Sequence, residues 1–562
     1  MRKLRWQILV VFLTLIVVGV LLLTQQPSTT TATLPEPASG GIYTEALVGS
    51  FGRLNPLLDM NNPADQDVDR LLYSSLITFD SRGIPQADLA ESWGVSADGT
   101  MYNITIRANA YWHDGTPVTS DDVLFTLSLL RSEYSTFPAD VRAMWDQVEI
   151  TRLDDKNIKF TLTEPFVPFL DYLTFGVLPK HLLENTAAEQ LSNASFNLAP
   201  VGSGPYKFDH LVVEGGKIAG VVLTVSSNYY RQTPYMQQIV FRYYPDSSTA
   251  LNAYKSGEVL GISQITPDVL PEALAEPNLS LYSSRMPRLT LVLFNLGNNE
   301  VPFFQDKKIR RALLLGLNRQ WIVDRILQGQ AVVADSPILP STWAYYDGVE
   351  HVGFDADSAT ALLKSAGYVL PANGTILAKD NVSLSFTLLY PDDSQHAQVA
   401  QTIQQNWAAL GVEVKLQAVS YDSLINDRLT SRDYQAALVD LDLSHSYDPD
   451  PYPFWHQAEA TGGQNYSGWN NSTASEYLEQ ARILADQSVR LRLYRNFQVV
   501  FARELPALLL YYPIYTFGVD QHVQGVQAMP LFAPADRFND IFSWYLVTRR
   551  AQEQTPQPTV GP

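Results

Sequence analysis

Along most of the chain, short runs of alternating apolar and polar residues interleave with longer runs in which apolar side chains recur every third or fourth position. Residues 101–107 (MYNITIR) put Tyr102, Ile104 and Ile106 on one side, the two-residue period of a half-buried strand. The turn dipeptides Asp98-Gly99 and Asp114-Gly115 on either side predict a hairpin-like unit. Thr119-Ser120-Asp121-Asp122 then reads as a helix start: a hydroxyl to cap, carboxylates to meet the positive end, and Val123, Leu127 and Leu130 as the inward stripe. From Asp306 to Gln328 the period predicts one helix, with Ile309, Leu313, Leu317 and Ile322 in register and Gly329 just past its end. Another helix runs from about Ala356 to Ala366 and stops at Gly367. Leu384–Tyr390 reads as strand, Gln395–Leu410 as helix and Val412–Val419 as strand, an order that means a parallel α/β sheet. Residues 508–519 (LLLYYPIYTFGV) are apolar and aromatic. No repeat of 20–50 residues is visible, which excludes solenoids and propellers. The predicted class is α/β, in several lobes.

The two ends break this pattern. Arg2, Lys3 and Arg5 precede the uncharged run Ile8–Leu23, about 24 Å of helix, between a signal-peptide core and a full membrane span. The run passes into Gln25, Gln26 and Pro27 without small residues at a cleavage point, so it reads as an uncleaved signal anchor, a cleaved signal being the alternative. Basic residues before the span place the body on the outer face of the cytoplasmic membrane. Ser28–Gly41 is a Thr/Pro/Ser/Gly spacer, and Ala551–Pro562 reads as a disordered tail. Between them lies a body of about Ile42–Arg549, expected to be a soluble monomer when freed of its anchor.

Composition narrows the chemistry. With 46% hydrophobic and 17% charged residues in 562, the bulk of the chain folds and needs no metal or disulfide staple. The formal charge of -19 opposes nucleic-acid binding. The absence of cysteine rules out disulfides, thiolate metal sites and cysteine nucleophiles. There is no phosphate loop, no paired-histidine zinc helix and no Gly-x-Ser-x-Gly elbow, so no catalytic residue, cofactor or protein-held metal is expected. His113 in YWHDG reads as a structural turn residue; His445 and His456 read as satisfied or exposed histidines. What stands out is the run 440–455 (DLDLSHSYDPDPYPFW), where two prolines fix their own φ and push Asp448 and Asp450 toward extended backbone. Such a loop can offer carboxylates and flat aromatic walls to a cationic or peptidic ligand, or it can be a solvated turn.

Several segments, in order, resemble one family, the bacterial extracellular solute-binding proteins of family 5, which serve ABC importers of peptides and nickel. LAESW at 89–93 with VSADG at 95–99 is similar to the family's Leu-Ala-x-x-Trp-x-Val-Ser-x-Asp-Gly opening, and WHDGTP at 112–117 with Asp121-Asp122-Val123 to its Trp-x-Asp-Gly-x-Pro signature. GSGPY at 202–206, Phe294-Asn295, PF at 302–303, KIRRA at 308–312 and the helix from Asp355 to Tyr368 resemble further motifs. The resemblance spans about 42–548. It implies a type II periplasmic-binding fold: two lobes joined by hinge strands, lobe I from 42–80, 199–285 and 512–548, an inserted domain at 81–198 and lobe III at 286–511, hinging near Pro200 and Tyr515. It implies capture of a peptide or similar small solute for an ABC permease, without catalysis. The alternatives are a nickel chelate, an oligosaccharide or an opine as solute or, from another class, a surface hydrolase. Peptide binders of the family pair an Asp of a Trp-x-x-Asp-Tyr segment with the ligand's α-amino group. This chain lacks that Trp, which leaves the role to Asp448 or Asp450, with Tyr447, Trp455 and Asn295 as further ligand-binding candidates.

Overall fold

The structure, a computed structural model, describes residues 2–24, 35–444 and 447–550. It falls into two units, Met1–Ala38 with Val547–Pro562, and Ser39–Leu546. In the first, Arg2–Thr24 is a helix whose apolar side chains from Val10 to Val18 are exposed, although among the described residues no helix is long and apolar enough to cross a membrane. Pro35–Ala38 pairs antiparallel with Val547–Arg550. The end of the expected spacer is thus pinned, because main-chain pairing needs no side-chain core. Pro35 and Pro37 contribute no N–H to it. The rest of the spacer (25–34), the tail 551–562 and His445 lie outside the described residues.

A sheet of 12 strands runs through the second unit. Its one end is built from Glu413–Val419, Ser385–Pro391, Ala436–Asp442 and Arg288–Phe294, its other from Gly261–Ile262, Ile42–Val48, Gln238–Tyr244, Lys217–Val225 and Tyr206–Glu214. The 14-residue strand Ala507–Asp520 belongs to both ends. It is buried on both faces, which is why it reads as an unbroken apolar run and not as an alternation. Ser385–Pro391 pairs parallel with Glu413–Val419, and the helix Ser394–Ala408 makes the crossover, as the hydrophobic periods predict.

The chain crosses between the two ends at two places. Ala507–Tyr511 pairs with Arg288–Phe294 on one side, and Ile514–Asp520 pairs with Leu279–Arg285 on the other. Tyr512-Pro513 and Met286-Pro287 lie between these ladders, joined to each other where the Met286 N–H donates to the Pro513 carbonyl (2.7 Å). Each crossing carries a proline, which cannot donate to a ladder, and the short strand Ala331–Val333 pairs antiparallel with Tyr511–Pro513 beside them. Pro200 sits between Asn197, whose carbonyl accepts the Leu54 N–H, and Gly202, which packs against Leu72.

A separate antiparallel sheet of four strands, in the order Ala90–Val95, Met101–Ile106, Asn157–Thr161, Glu149–Arg152, packs against the helix Ser120–Arg131. Tyr102, Ile104 and Ile106 point into its core with Val123, Leu127 and Leu130, as their spacing predicts. Asp122 closes the start of the helix by accepting from the Thr119 N–H (2.8 Å) and hydroxyl (3.1 Å). The helix expected over 306–328 is broken. Lys307–Leu315 stops at Gly316, and Asn318 starts a second turn by accepting the Trp321 N–H (2.9 Å). An apolar period continues through such a break, whereas a side-chain cap ends the hydrogen-bond ladder.

His113 links two of the motifs. Its Nδ1 accepts the Gly202 N–H (3.1 Å) and its Nε2 lies 3.0 Å from the Gly204 carbonyl, so the Nε2–H tautomer satisfies both. Burial pushes its pKa down to about 4, keeping the ring neutral. Gly202 passes so close to the end of the helix Pro63–Leu72 that a Cβ would lie 1.8 Å from the Leu72 carbonyl oxygen. Gly202→Ala is expected to cost about 1–3 kcal/mol through this overlap. The check is a lower urea midpoint at unchanged m-value, with Gly94→Ala, where a Cβ meets nothing within 4 Å, as the neutral control.

Candidate functional site

Between the two ends of the long sheet and the four-stranded domain lies a cavity of about 1180 Å³. Its walls come from the helix Pro63–Leu72, the turn 78–81, the turn Val167–Leu173, the crossing residues Met286 and Arg288, the loop 447–454 and residues 529–542. Convergence of three substructures on one cleft at the crossing strands is where a ligand site is expected. Aromatic walls (Phe79, Phe166, Tyr172, Tyr229, Phe532, Phe542) alternate with charge, and nine aspartates line the cavity against four arginines, which makes its field negative.

Most of those aspartates have partners. Asp450 accepts from Arg482 Nε (2.7 Å), and Arg482 lies over the Tyr452 ring (3.6 Å) and faces Phe166 (5.5 Å). Asp448 takes both Arg490 Nη1 (2.6 Å) and Nη2 (2.7 Å), a bidentate pair that is almost wholly buried. Burial pushes the Asp448 carboxyl up, while Arg490 opposes that shift. The Asp448 N–H donates to Asp171 Oδ2 (2.8 Å) on the four-stranded domain. Asp171 is pushed well up by burial and then by the Asp448 charge. Asp88 pairs with Arg231 (3.4 Å) and accepts the Tyr230 hydroxyl (2.7 Å). Asp540 accepts from Trp544 Nε1 (2.8 Å), and burial raises it to about 6.

Of the residues singled out from the sequence, Tyr447, Asp448 and Asp450 line the cavity. Tyr447 is buried and stacks on Phe79 across the cleft (4.4 Å, 6°). The two carboxylates reach the cleft already paired with guanidiniums, so neither is a spare negative charge. Trp455 and Asn295 do not line the cavity. Trp455 packs edge-on against Phe501 (4.7 Å), and the Asn295 side-chain amide donates to the carbonyls of Arg432 (2.8 Å) and Tyr434 (3.0 Å). His456 is held by Glu479 (2.8 Å) and the Ala458 N–H (3.1 Å), the satisfied histidine expected. The sequence reading missed Asp59, Asp69 and Asp171. One signal for Asp69 was present: Asp65 and Asp69 stand four apart on one helix, a like-charge spacing that costs stability unless something cationic compensates it.

The comparisons agree with this geometry. Residues 85–465 match the model of the bacterial extracellular solute-binding proteins, family 5 middle. Over 521 residues the chain is 28% identical to the oligopeptide-binding protein AppA of Bacillus subtilis, covering 91% of this chain and 92% of the relative. The structure of that AppA in complex with a nonapeptide superposes with a TM-score of 0.69 at 25% identity, covering 91% of this chain and 100% of the other. NikZ of Campylobacter jejuni in complex with Ni(L-His) superposes with a TM-score of 0.68 at 25% identity, covering 90% and 99%. The architecture is thus the α/β periplasmic-binding fold, and the chain belongs to the bacterial extracellular solute-binding proteins of family 5, which are binding proteins of ABC transporters and not enzymes.

Proposed function

We propose that this chain is a membrane-tethered receptor that takes up a peptide in its interlobe cleft and hands it to an ABC import permease. The observation that carries the reading is the roughly 1180 Å³ cavity with aromatic walls and an excess of carboxylates, room and charge for an ammonium-bearing peptide. Relatives named for oligopeptides and dipeptides support it. In the Tyr447–Asp450 cluster the group without a guanidinium of its own is Asp171, so it is Asp171, backed by the two ion pairs, that meets the ligand's amine. The helix Arg2–Thr24 is the tether, entering the bilayer with its basic end inward, and the body acts as a monomer. The lobes move about Met286-Pro287 and Tyr512-Pro513.

Mass spectrometry of solute released from the purified body 39–550 tests this directly. Short peptides are the expected find, and their consistent absence in favour of another solute class overturns the reading. The likeness to NikZ favours a second reading, chelated nickel, which elemental analysis of the same sample separates from the first. Once a ligand is in hand, saturating it is expected to lower the radius of gyration and raise the melting temperature. An unchanged radius in small-angle scattering removes the hinge.

A further inference from the structure

The helix Pro63–Leu72 buries three aspartates, and two of them have clear work. Asp67 holds Arg537 (2.5 and 2.7 Å), and Asp65 accepts the N–H groups of Gly52 (3.1 Å) and Arg53 (2.8 Å) and the Asn62 amide (2.7 Å). Asp69 is different. It is only 3% exposed and stands in the cavity wall beside Asp59, and neither of its carboxylate oxygens has a partner in full hydrogen-bond geometry, the nearest groups being the Asp59 carboxyl and the Asn55 main chain. An unpaired carboxylate so deeply buried is costly to keep. Met60, Phe137, Trp145 and Phe175 line the same cavity and offer apolar surface. Among the described residues no group of three or more His, Cys, Asp or Glu is arranged to hold a metal ion, and the apolar wall beside the two carboxyls suits the stem of an organic cation.

We propose that Asp69 and Asp59 form a side-chain subsite for the ammonium or guanidinium of a lysine or arginine in the bound solute, the aliphatic stem lying on the apolar wall. This rests on the reading of the solute as a peptide. Burial drives both carboxyls up, Asp59 to about 7 and Asp69 well beyond its usual range, and they face each other, so the empty site keeps a proton. The charged and titratable groups around them are Asp65, itself raised to about 6 by burial, Arg53 against Asp65, and the phenols of Tyr73 and Tyr243, both pushed up. A cation entering between the two carboxyls displaces the proton to the buffer and leaves both ionised. Affinity for such a peptide therefore rises with pH between about 6 and 8.

The test is calorimetry with tetra-alanine peptides carrying either lysine or its uncharged analogue norleucine at each position in turn, near pH 7 in two buffers of different ionisation enthalpy. The expected result is one position at which lysine is preferred roughly tenfold or more, with proton release that the norleucine peptide does not cause. Asp69→Asn and Asp59→Asn should each bring the preference to about one. If Asp69→Asn does not fold, Asp59→Asn and the proton release of the parent decide. Equal binding of lysine and norleucine at every position, or a preference that survives both substitutions, overturns the subsite while leaving the peptide reading intact. If none of the peptides binds, the peptide reading fails and the subsite with it.

Discussion

Replacing Arg537 with alanine is expected to cost about 3–5 kcal/mol of folding stability, the largest loss for a single side chain outside the cleft. Arg537 is almost fully buried, forks onto both oxygens of Asp67 and reaches Glu45 Oε1 (2.6 Å), with its guanidinium over the Phe538 ring (4.3 Å). The three groups come from the strand Ile42–Val48, the helix Pro63–Leu72 and the turn Pro534–Phe538, so one guanidinium ties together parts almost 500 residues apart in the chain. Without it two buried carboxylates lose their counter-ion. Burial already pushes both carboxyls up, with Arg537 opposing it. The sign of the pH effect follows. In the variant their folded pKa rises further above the unfolded value, so stability is kept at low pH, where both are neutral, and lost as pH rises through the folded pKa. Denaturation of parent and Arg537→Ala at pH 5 and pH 8 checks this: the gap should widen at pH 8. A gap that is equal, or wider at pH 5, would show that packing and not charge sets the loss.

Much of the fold was legible because it is written in local periods. The strand–helix–strand unit 385–419, whose paired strands lie 28 positions apart, the hairpin around Tyr102 and Ile104, and the cap at Thr119 and Asp122 each depend on residues close together along the chain. The broken helix after Leu315 was not legible, since Gly316 and Asn318 leave the apolar register undisturbed. The cleft was legible only as a loop. Residues 447–455 carry a visible acidic and aromatic signature, but whether a carboxylate is free or paired depends on residues far along the chain. Arg490 and Arg482 lie 42 and 32 positions beyond the aspartates they hold, and no local pattern marks them. Trp455 illustrates the same limit from the other side. A large aromatic next to an acidic turn reads as a ligand wall, yet it fills a core against Phe501. The Arg2–Thr24 segment is the opposite case, an apolar run readable at a glance that forms a helix with its apolar side chains exposed.

The second large effect is expected at Arg490. Its guanidinium holds Asp448 through two bonds, its Nε donates to the Ala481 carbonyl (2.6 Å), and Tyr494 lies against it, all nearly excluded from water. The loop it fixes reaches across the cleft at three points: the Asp448 N–H to Asp171, the Tyr447 ring on Phe79, and Arg482, which Asp450 holds, facing Phe166. Arg490→Ala leaves Asp448 buried without a cation beside the already burdened Asp171. The expected cost is about 3–5 kcal/mol in stability and, with the amine at Asp171 as proposed, about 2–5 kcal/mol in affinity, roughly thirtyfold to several thousandfold, because the cleft wall there is loosened. Arg490→Lys should recover little, since an ammonium cannot make the two parallel bonds of a guanidinium. Asp448→Asn together with Arg490→Met removes both charges at once and should recover most of the stability but not the affinity, because the neutral loop no longer sets Asp171 in place. Chemical denaturation and calorimetry with the co-purified solute, run on all four proteins, separate the two effects. Should the double variant bind like the parent, the Tyr447–Asp450 loop closes the fold and takes no part in holding the solute.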